Sequence, residues 1–413
     1  MKTKILILLF LVLIKTSSAQ NAQTVNEGLL HVNPNTLVSV EWNFDNKNTG
    51  DYENNGEVIF KGNYNNDGIT TFDSAFQGFT RFEGFQNQDI TGIKPSDFYN
   101  ILFNNTSTQP AFRLHSEIYV SGDANFSKGI VQSDDFQGSM TFERNATHSN
   151  TSNISHVDGE VTKNGNEGFL YPIGDKGFFR YAAISAPGDI NSSFNAHYLL
   201  ENSNTLYPHD KKDANIITII DDKEYWTVNK NSSTADILLT LSWDEATTPA
   251  SIIASPQDVI HIVRWDETKQ LWVDEGGVAN TSEKTVTTIA TVSGYGAFTL
   301  ARIKTIEDDD VIIYDAVSPN EDDKNDYFYI KNITKYPDNR VQIFNRWGIK
   351  VFETTNYDSN SNVFRGFSDG RATISPDHLL PNGTYFYIVQ YTKTTGGLSN
   401  TIKKAGYLYL SRN

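Results

Sequence analysis

The sequence of 413 residues contains no cysteine, and its basic residues are few compared with its acidic ones. Without cysteine the chain has no disulfide, no sulfur ligand for zinc and no residue to carry the lipid of a bacterial lipoprotein. The 34 Lys and Arg stand against 50 Asp and Glu, a net charge of −16. This balance argues against nucleic acid or an anionic membrane as partner, because phosphates are met by clustered cations.

Long apolar runs are also scarce, and the one that stands out is at the N-terminus, from Ile5 to Ile14. Lys2 and Lys4 precede this run, and the small residues Ser17-Ser18-Ala19 follow it, which is the pattern of a secretory signal peptide cut before Gln20. The run is shorter than the roughly 20 residues that a membrane-spanning helix needs. We predict a signal peptide over residues 1–19 and a mature chain without a membrane span.

Motifs for catalysis are weak. The eight histidines show no paired spacing of metal ligands, and H-E-x-x-H does not occur. Gly366-Phe367-Ser368-Asp369-Gly370 matches the serine-hydrolase motif G-x-S-x-G, but Pro376 follows it and no helical pattern does, whereas that motif needs a helix after the serine. The pair Asp221-Asp222 could cleave glycosides only if the fold set two carboxylates across a cleft. We predict no catalytic residue, no bound cofactor and no enzymatic activity.

Residues 20–155 form a repeat-containing β-domain. Glu57-Val58-Ile59-Phe60 resembles Glu117-Ile118-Tyr119-Val120, and Phe76-Gln77-Gly78 recurs as Phe136-Gln137-Gly138, both at an offset of 60. Short apolar runs between Asn/Gly turns, repeating without a helical period, are typical of stacked β-coils. We favour a short solenoid, capped by its neighbour, over a duplicated sandwich, with Asn100–Asn105 as a further coil.

Residues 156–304 read as a β-sandwich that holds four of the six tryptophans, Trp226, Trp243, Trp265 and Trp272. Aromatic side chains inside a sandwich fill the core, which is our preferred interpretation. The alternative is an exposed row of Trp243, Trp265 and Trp272 that stacks on sugars. An acidic linker, residues 305–317, follows.

The last segment, residues 318–413, has a dense set of turn and strand signals. Val341, Ile343 and Trp347 all occupy odd-numbered positions, and alternate residues of a strand lie on the same face of the sheet. We therefore predict that all three face inward. Asn382-Gly383 predicts a turn, Thr395-Gly396-Gly397-Leu398 a hairpin, and Ala405–Leu410 a last strand. The characteristic residues of this segment are Ser318, Pro319, Asn320, Asp326, Phe344, Asn345, Arg346, Trp347, Gly348, Gly383, Tyr385, Tyr387, Gly406 and Arg412.

In this order, these residues resemble the gliding-motility-associated C-terminal domain, the type B sorting domain of type IX secretion in secreted surface proteins of Bacteroidetes. The resemblance implies a small immunoglobulin-like β-sandwich. Together with the strand patterns of residues 20–304, this predicts an all-β chain. The resemblance also implies that the tail engages the type IX translocon, together with an outer-membrane β-barrel partner. The protein would then reach the cell surface, associated with the outer membrane.

A calcium site is a weaker hypothesis in the same segment. Asn320, Asp322 and Asp326 alternate in a turn-like loop, and oxygen ligands of this kind suit Ca²⁺. The related family commonly has glycine where this chain has Glu321 and Asp323. The alternative to a calcium site, and the default interpretation, is a solvated acidic loop.

Two functions follow from these patterns. The first is a non-enzymatic surface or adhesion protein, exported by type IX secretion and associated with gliding motility or the surface adhesin apparatus. The alternative is a secreted carbohydrate-binding module or glycan-active protein that uses the Trp-rich central domain. The two differ in whether the central tryptophans are exposed.

Overall fold

The computed structural model describes residues 22–255, 257–304, 311–320, 324–368, 379–395 and 398–411. The predicted signal peptide therefore lies outside the described residues. The first part of the chain is built from short strands, in chain order β1 (Gln23–Asn26), β2 (Leu29–Val32), β3 (Leu37–Val40), β4 (Asn43–Asn46), β5 (Asp51–Asn54), β6 (Glu57–Phe60), β7 (Tyr64–Asn66), β8 (Ile69–Thr71), β9 (Phe79–Phe82), β10 (Gln88–Thr91), β11 (Ser96–Phe98), β12 (Asn100–Asn104), β13 (Phe112–Leu114), β14 (Glu117–Val120), β15 (Asp123–Lys128), β16 (Val131–Gln132), β17 (Ser139–Phe142), β18 (Thr147–Ser149), β19 (Val157–Asp158), β20 (Val161–Asn164), β21 (Phe169–Leu170) and β22 (Ile173–Asp175).

These strands stack as parallel coils with three faces, so the predicted solenoid is confirmed. The first face runs β1-β4-β7-β10-β13-β16-β19-β22, the second runs β3-β6-β9-β12-β15-β18, and the third consists of β2-β5-β8 and then β11-β14-β17-β20. Partners on adjacent coils are 16 residues apart at Val157 and Ile173 and 26 apart at Gln132 and Asp158. Coil length therefore varies along the chain, and the repeating unit of the structure is a single coil.

The repeat at an offset of 60 does not mark equivalent positions in the solenoid. The strand β6 lies on the second face, whereas β14 lies on the third. Both strands follow a corner and bury every second residue, Val58 and Phe60 in one and Ile118 and Val120 in the other. The similarity arises because each face requires the same alternation of buried and outward residues.

Like residues stack on successive coils. Phe60, Phe82, Phe103 and Phe126 form a ladder inside the second face, with ring centroids 5.6, 6.0 and 5.4 Å apart and nearly parallel planes. On the first face, the Nδ2 of Asn26 donates to Oδ1 of Asn46, whose Nδ2 donates to Oδ1 of Asn66, both at 2.8 Å. These amides are buried, and their mutual bonds satisfy groups that would otherwise be costly to desolvate.

The middle of the chain adds strands β23 (Phe178–Phe179), β24 (Ala182–Ile184), β25 (Ser193–Leu199), β26 (Ile217–Ile220), β27 (Tyr225–Ser232), β28 (Leu239–Ser242), β29 (Ile260–Asp266), β30 (Leu271–Gly276), β31 (Val278–Asn280), β32 (Thr285–Thr287) and β33 (Gly296–Ile303). The short helix α1 spans Ala250–Ile253, and two 3₁₀ turns span Ser203–Thr205 and Gln257–Val259. Two antiparallel sheets result: β25-β27-β33-β29-β30, with β26 beside β33, and β21-β24-β28-β32-β31.

The solenoid and this sandwich share one sheet and one core. Strand β20 of the third face pairs antiparallel with β25, so the third face continues into the sandwich. A single cluster of buried apolar side chains extends from Val32 to Leu300. The neighbouring sandwich thus covers the C-terminal end of the solenoid, as predicted, and the coils continue past residue 155 to β22.

The four central tryptophans are buried, which confirms their role in the core. Trp226 is fully buried between the sheets, and its Nε1 donates to the Arg180 carbonyl. Trp265 and Trp272 pack on the other face of the larger sheet, under Tyr207, with ring centroids 5.9 Å apart. Trp243 is 6 % exposed. The alternative interpretation, an exposed stacking row of Trp243, Trp265 and Trp272, does not agree with the structure, because all three rings are buried.

The tail contains β34 (Ile312–Ile313), β35 (Ala316–Val317), β36 (Ile330–Lys331), β37 (Asn339–Phe344), β38 (Lys350–Thr355), β39 (Gly383–Thr395) and β40 (Leu398–Leu410), with a 3₁₀ turn at Ile333–Lys335. A five-stranded sheet has the order β35-β40-β39-β37-β38, and β34 pairs with β36 beside it. The strands β39 and β40 pair from Gly383 with Leu410 to Thr395 with Leu398, so the predicted hairpin is confirmed.

The tail has a hydrophobic core of its own, separate from the one that the solenoid and the sandwich share. Val311 and Val317 belong to this core, and β34 and β35 pair with strands of the tail. Residues 311–317, which we expected to be linker, are therefore part of the domain. Among the described residues, no helix is long and apolar enough to cross a membrane.

The phenylalanine ladder yields a stability prediction. Phe103→Ala should lower the free energy of unfolding by about 3–5 kcal/mol, because the ring is fully buried between two stacked neighbours. Urea denaturation followed by tryptophan fluorescence measures the change. Phe85→Ala is the matched control, since Phe85 is 82 % exposed and its loss should have little effect. Equal effects of the two substitutions would contradict the ladder's role.

A cluster of acidic side chains at the seam between solenoid and sandwich yields a pH prediction. Burial, and then the nearby Asp175, raise the pKa of Asp158 from 3.8 to about 7. The folded protein then holds this proton more tightly than the unfolded chain, so stability from this group is lost as pH rises from about 4 to about 7. Asp158→Asn should reduce the fall in melting temperature between pH 5 and pH 8. The exposed Asp210→Asn should leave that fall unchanged, and an identical fall in all three proteins would refute the assignment.

Candidate functional site: the C-terminal domain

The segment Asn345–Gly348 is a tight turn between β37 and β38. The Asn345 Oδ1 accepts the backbone N–H of Trp347 at 2.9 Å and that of Ile349 at 3.0 Å. Gly348 has φ +73, a conformation that favours glycine. The strand ends at Phe344, so strand parity no longer applies beyond it.

This turn corrects one prediction and confirms another. Val341 and Ile343 are fully buried, as predicted, but Trp347 is 66 % exposed. The Arg346 guanidinium lies over the Trp347 ring, 4.8 Å from its centroid. The turn thus presents a stacked cation and aromatic ring at the surface. The Asn345 and Gly348 turn signals were visible in the sequence and should have taken precedence over parity.

The tyrosines of β39 lie on the tail's inner face. The Tyr385 hydroxyl donates to the Pro381 carbonyl at 2.8 Å. Tyr387 packs against Phe328, with centroids 5.1 Å apart, and lies opposite Gly406 in the β39–β40 ladder. A Cβ at Gly406 would overlap the Tyr387 hydroxyl and lie 2.7 Å from its Cζ. The glycine is therefore required by the tyrosine across the ladder.

The loop that opens the segment is held by one bond to a side chain and one bond between backbone groups. The Asn320 N–H donates to the Asp326 Oδ1 at 3.1 Å, and the Ser318 N–H donates to the Asn325 carbonyl at 2.6 Å, next to Pro319. Asp322 and Arg412 lie outside the described residues. The calcium hypothesis for Asn320, Asp322 and Asp326 therefore stays a prediction, and in the described part of the chain no cluster of acidic or histidine ligands is arranged to hold a metal.

The last strand leaves part of one edge open. The N–H groups of Tyr409 and Ser411 donate to Asp315 and Val317, on the side away from β39. Because N–H directions alternate along a strand, those of Lys403, Ala405 and Tyr407 point to the same side. Only residues 409 and 410 pair with β35, and no other described strand lies on that side of β40. The predicted edge at Ala405–Leu410 is thus closed at its end and open upstream.

The key residues of the weak catalytic motifs, Ser368 and Asp221, are buried and form hydrogen bonds within the fold. Ser368 is 1 % exposed and its hydroxyl donates to the Val351 carbonyl at 3.0 Å. Asp221 is fully buried and its Oδ1 accepts the N–H groups of Lys223 and Glu224, whereas Asp222 is exposed. Burial and the neighbouring Glu224 raise the pKa of Asp221 to about 8. The structure does not set these two carboxylates across a cleft.

Comparison with known proteins identifies the domain. Residues 311–410 match the family model described as the CHU_C type IX secretion signal domain. The match begins at Val311, the first residue of the tail's own core, and ends at Leu410, the last residue of β40. No curated protein and no solved structure matches the chain. The chain therefore carries a type IX secretion signal domain, which implies export by that machinery.

The Gly406 contact gives a prediction for the tail. Gly406→Ala should destabilise the tail by about 1–3 kcal/mol, because the added methyl displaces the Tyr387 ring. Hydrogen exchange, read by mass spectrometry in peptides from β39 and β40, should become faster while the solenoid peptides are unchanged. Gly28→Ala is the control, since a Cβ there meets nothing within 4 Å. Unchanged exchange in β39 would contradict the requirement.

Proposed function

We propose that this protein is a non-enzymatic surface protein of the adhesin type, delivered through the outer membrane by type IX secretion. The observation that carries the proposal is the signal domain at residues 311–410, folded around its own core and joined to an all-β cargo. A separate core lets the tail act as a recognition unit without disturbing the cargo. The finer role, in gliding motility or adhesion, belongs to the proposal and rests on the resemblance of the tail to the gliding-motility-associated C-terminal domain.

The proposed contact with the export machinery is strand addition to β40. The N–H groups of Lys403, Ala405 and Tyr407 point toward an open edge, and main-chain bonds of this kind bind an extended segment of a partner. We propose a translocon component or an accompanying outer-membrane barrel as that partner. The exposed Arg346 and Trp347 would add a second contact at the opposite side of the sheet, since arginine and tryptophan are frequent anchors in interfaces.

The proposed adhesive surface is the first coil of the solenoid. Four large apolar side chains are exposed there, namely Val25, Leu29, Leu37 and Trp42. The edges of β1, β2 and β3 face away from the rest of the solenoid, and no described strand covers them. Apolar side chains beside unpaired strand edges suit a protein ligand more than a sugar. The glycan-binding alternative is disfavoured, because the central tryptophans that would stack on sugars are buried.

Export depends on the tail in this proposal. A chain ending at Lys304 should be retained inside the cell, because the signal domain is missing while the cargo core stays complete. Protease added to whole cells, followed by immunoblotting, distinguishes surface protein from retained protein. Cleavage of the truncated protein at the surface would refute the proposal.

Strand addition has its own test in the intact chain. Ala405→Pro removes an N–H that points to the open edge and breaks no bond to β39, so the tail should fold yet be exported poorly. Ala405→Ser is the control and should be exported normally. Normal export of the proline variant would show that this edge of β40 is not the contact with the export machinery. It would not contradict export through the signal domain.

A further inference from the structure

An unfilled cleft lies between the tail and the sandwich. It encloses about 580 Å³, within the range of roughly 300–1,000 Å³ typical of small-molecule sites, and such sites are common at domain interfaces. One wall is the outer surface of β24, β28 and β32. The other is the outer face of the tail's sheet, with Phe344, Phe386 and Ala405.

The side chains that face the cleft from both walls include several small ones, which do not fill the space between the walls. Gly168, Ala183 and Ser185 line the sandwich wall, and Ala405 lies opposite. The walls meet at one end, where a Cβ on Gly348 would lie 2.6 Å from the Leu238 Cδ1. A second space of about 530 Å³ shares Val278 and Ala405 with the first, so the cleft continues along the sheet toward Tyr407. The shape is elongated and suits a chain-like ligand.

The polar groups of the cleft are already engaged within the protein. The hydroxyls of Thr240 and Thr287 bond each other at 2.8 Å. The Ser185 hydroxyl accepts the Leu238 N–H at 2.9 Å, and that of Thr288 accepts the Leu239 N–H at 3.1 Å. A sugar would therefore find few free partners for its hydroxyl groups. The remaining lining is mainly aliphatic and aromatic.

One charge stands at the cleft. Arg346 is the single charged side chain among its described lining residues, in a chain whose net charge is −16. Its guanidinium stacks on Trp347 and forms no ion pair with any residue that the structure describes. An arginine that pairs with no carboxylate in the described ranges, at the mouth of an apolar cleft, is complementary to an anionic group on an apolar ligand.

We propose that the cleft binds a long-chain carboxylate, with the hydrocarbon chain between the two sheets and the carboxylate on Arg346. The ligand would contact the sandwich and the tail together, so binding would also fasten the signal domain to its cargo. The proposed export contacts also use Arg346 and Ala405, so the test below measures ligand binding to the purified chain, which does not depend on export.

Binding to the intact mature chain tests the proposal. Laurate, kept below its micelle concentration, should displace a fluorescent fatty acid saturably and raise the melting temperature, because it binds the folded state. Lauryl alcohol and lauryltrimethylammonium have the same chain and lack the anion, so they should bind about tenfold or more weakly. The absence of saturable displacement by laurate, or equal binding of the three compounds, would overturn the proposal.

Three substitutions separate the effect of the charge from that of the cavity. Arg346→Gln should weaken laurate about tenfold and leave the alcohol unchanged, whereas Arg365→Gln should change neither, although Arg365 also stacks on an aromatic ring of the tail. Ala405→Trp should fill the cleft and abolish binding of both compounds. If the Ala405 variant fails to fold, the two arginine variants decide the matter. Equal losses from both arginine substitutions would refute the assigned carboxylate position.

Discussion

The in-register stacking of parallel coils is the constraint on which the cargo depends. Neighbouring strands in a sheet lie about 4.8 Å apart, so any inward position is followed on the next coil by one directly above it. A side chain on one coil therefore packs against the residue above it, and residues of like chemistry can stack. The ladder from Phe60 to Phe126 and the chain of Asn26, Asn46 and Asn66 are two such stacks. The last coil needs cover of the same kind, and β25 provides it by continuing the third face as an antiparallel sheet.

The architecture was largely predictable, because it follows from local patterns. Asn/Gly corners with alternate apolar residues gave the solenoid, and Thr395 to Leu398 gave the long hairpin of the tail. The period was not predictable from the similarity of Glu57 and Glu117, since coils of unequal length place similar strands on different faces. The joining of solenoid and sandwich into one core was also hidden. It depends on the pairing of β20 with β25, a long-range contact with no local signal.

The candidate site was less predictable than the fold. The residues of the signal domain could be recognised in order, but the exposure of Trp347 follows from the Asn345 turn, which ends strand parity. The buried state of Trp265 and Trp272 depends on the loop that carries Tyr207, more than 50 residues earlier in the chain. The cleft next to Arg346 is formed by two separate cores meeting, and neither part contains it alone. Composition and spacing describe each core and give no information on the gap between them.

The position of β33 determines how the cargo bears mechanical load. This strand, Gly296–Ile303, leads to the tail and is flanked by β27 and β29, with β26 beside its end. A force directed along this strand would shear its bonds to both flanking strands together instead of opening them one by one. Under a load in that direction β33, which pairs on both sides, would therefore resist separation more than a strand at the edge of the sheet, which has one partner.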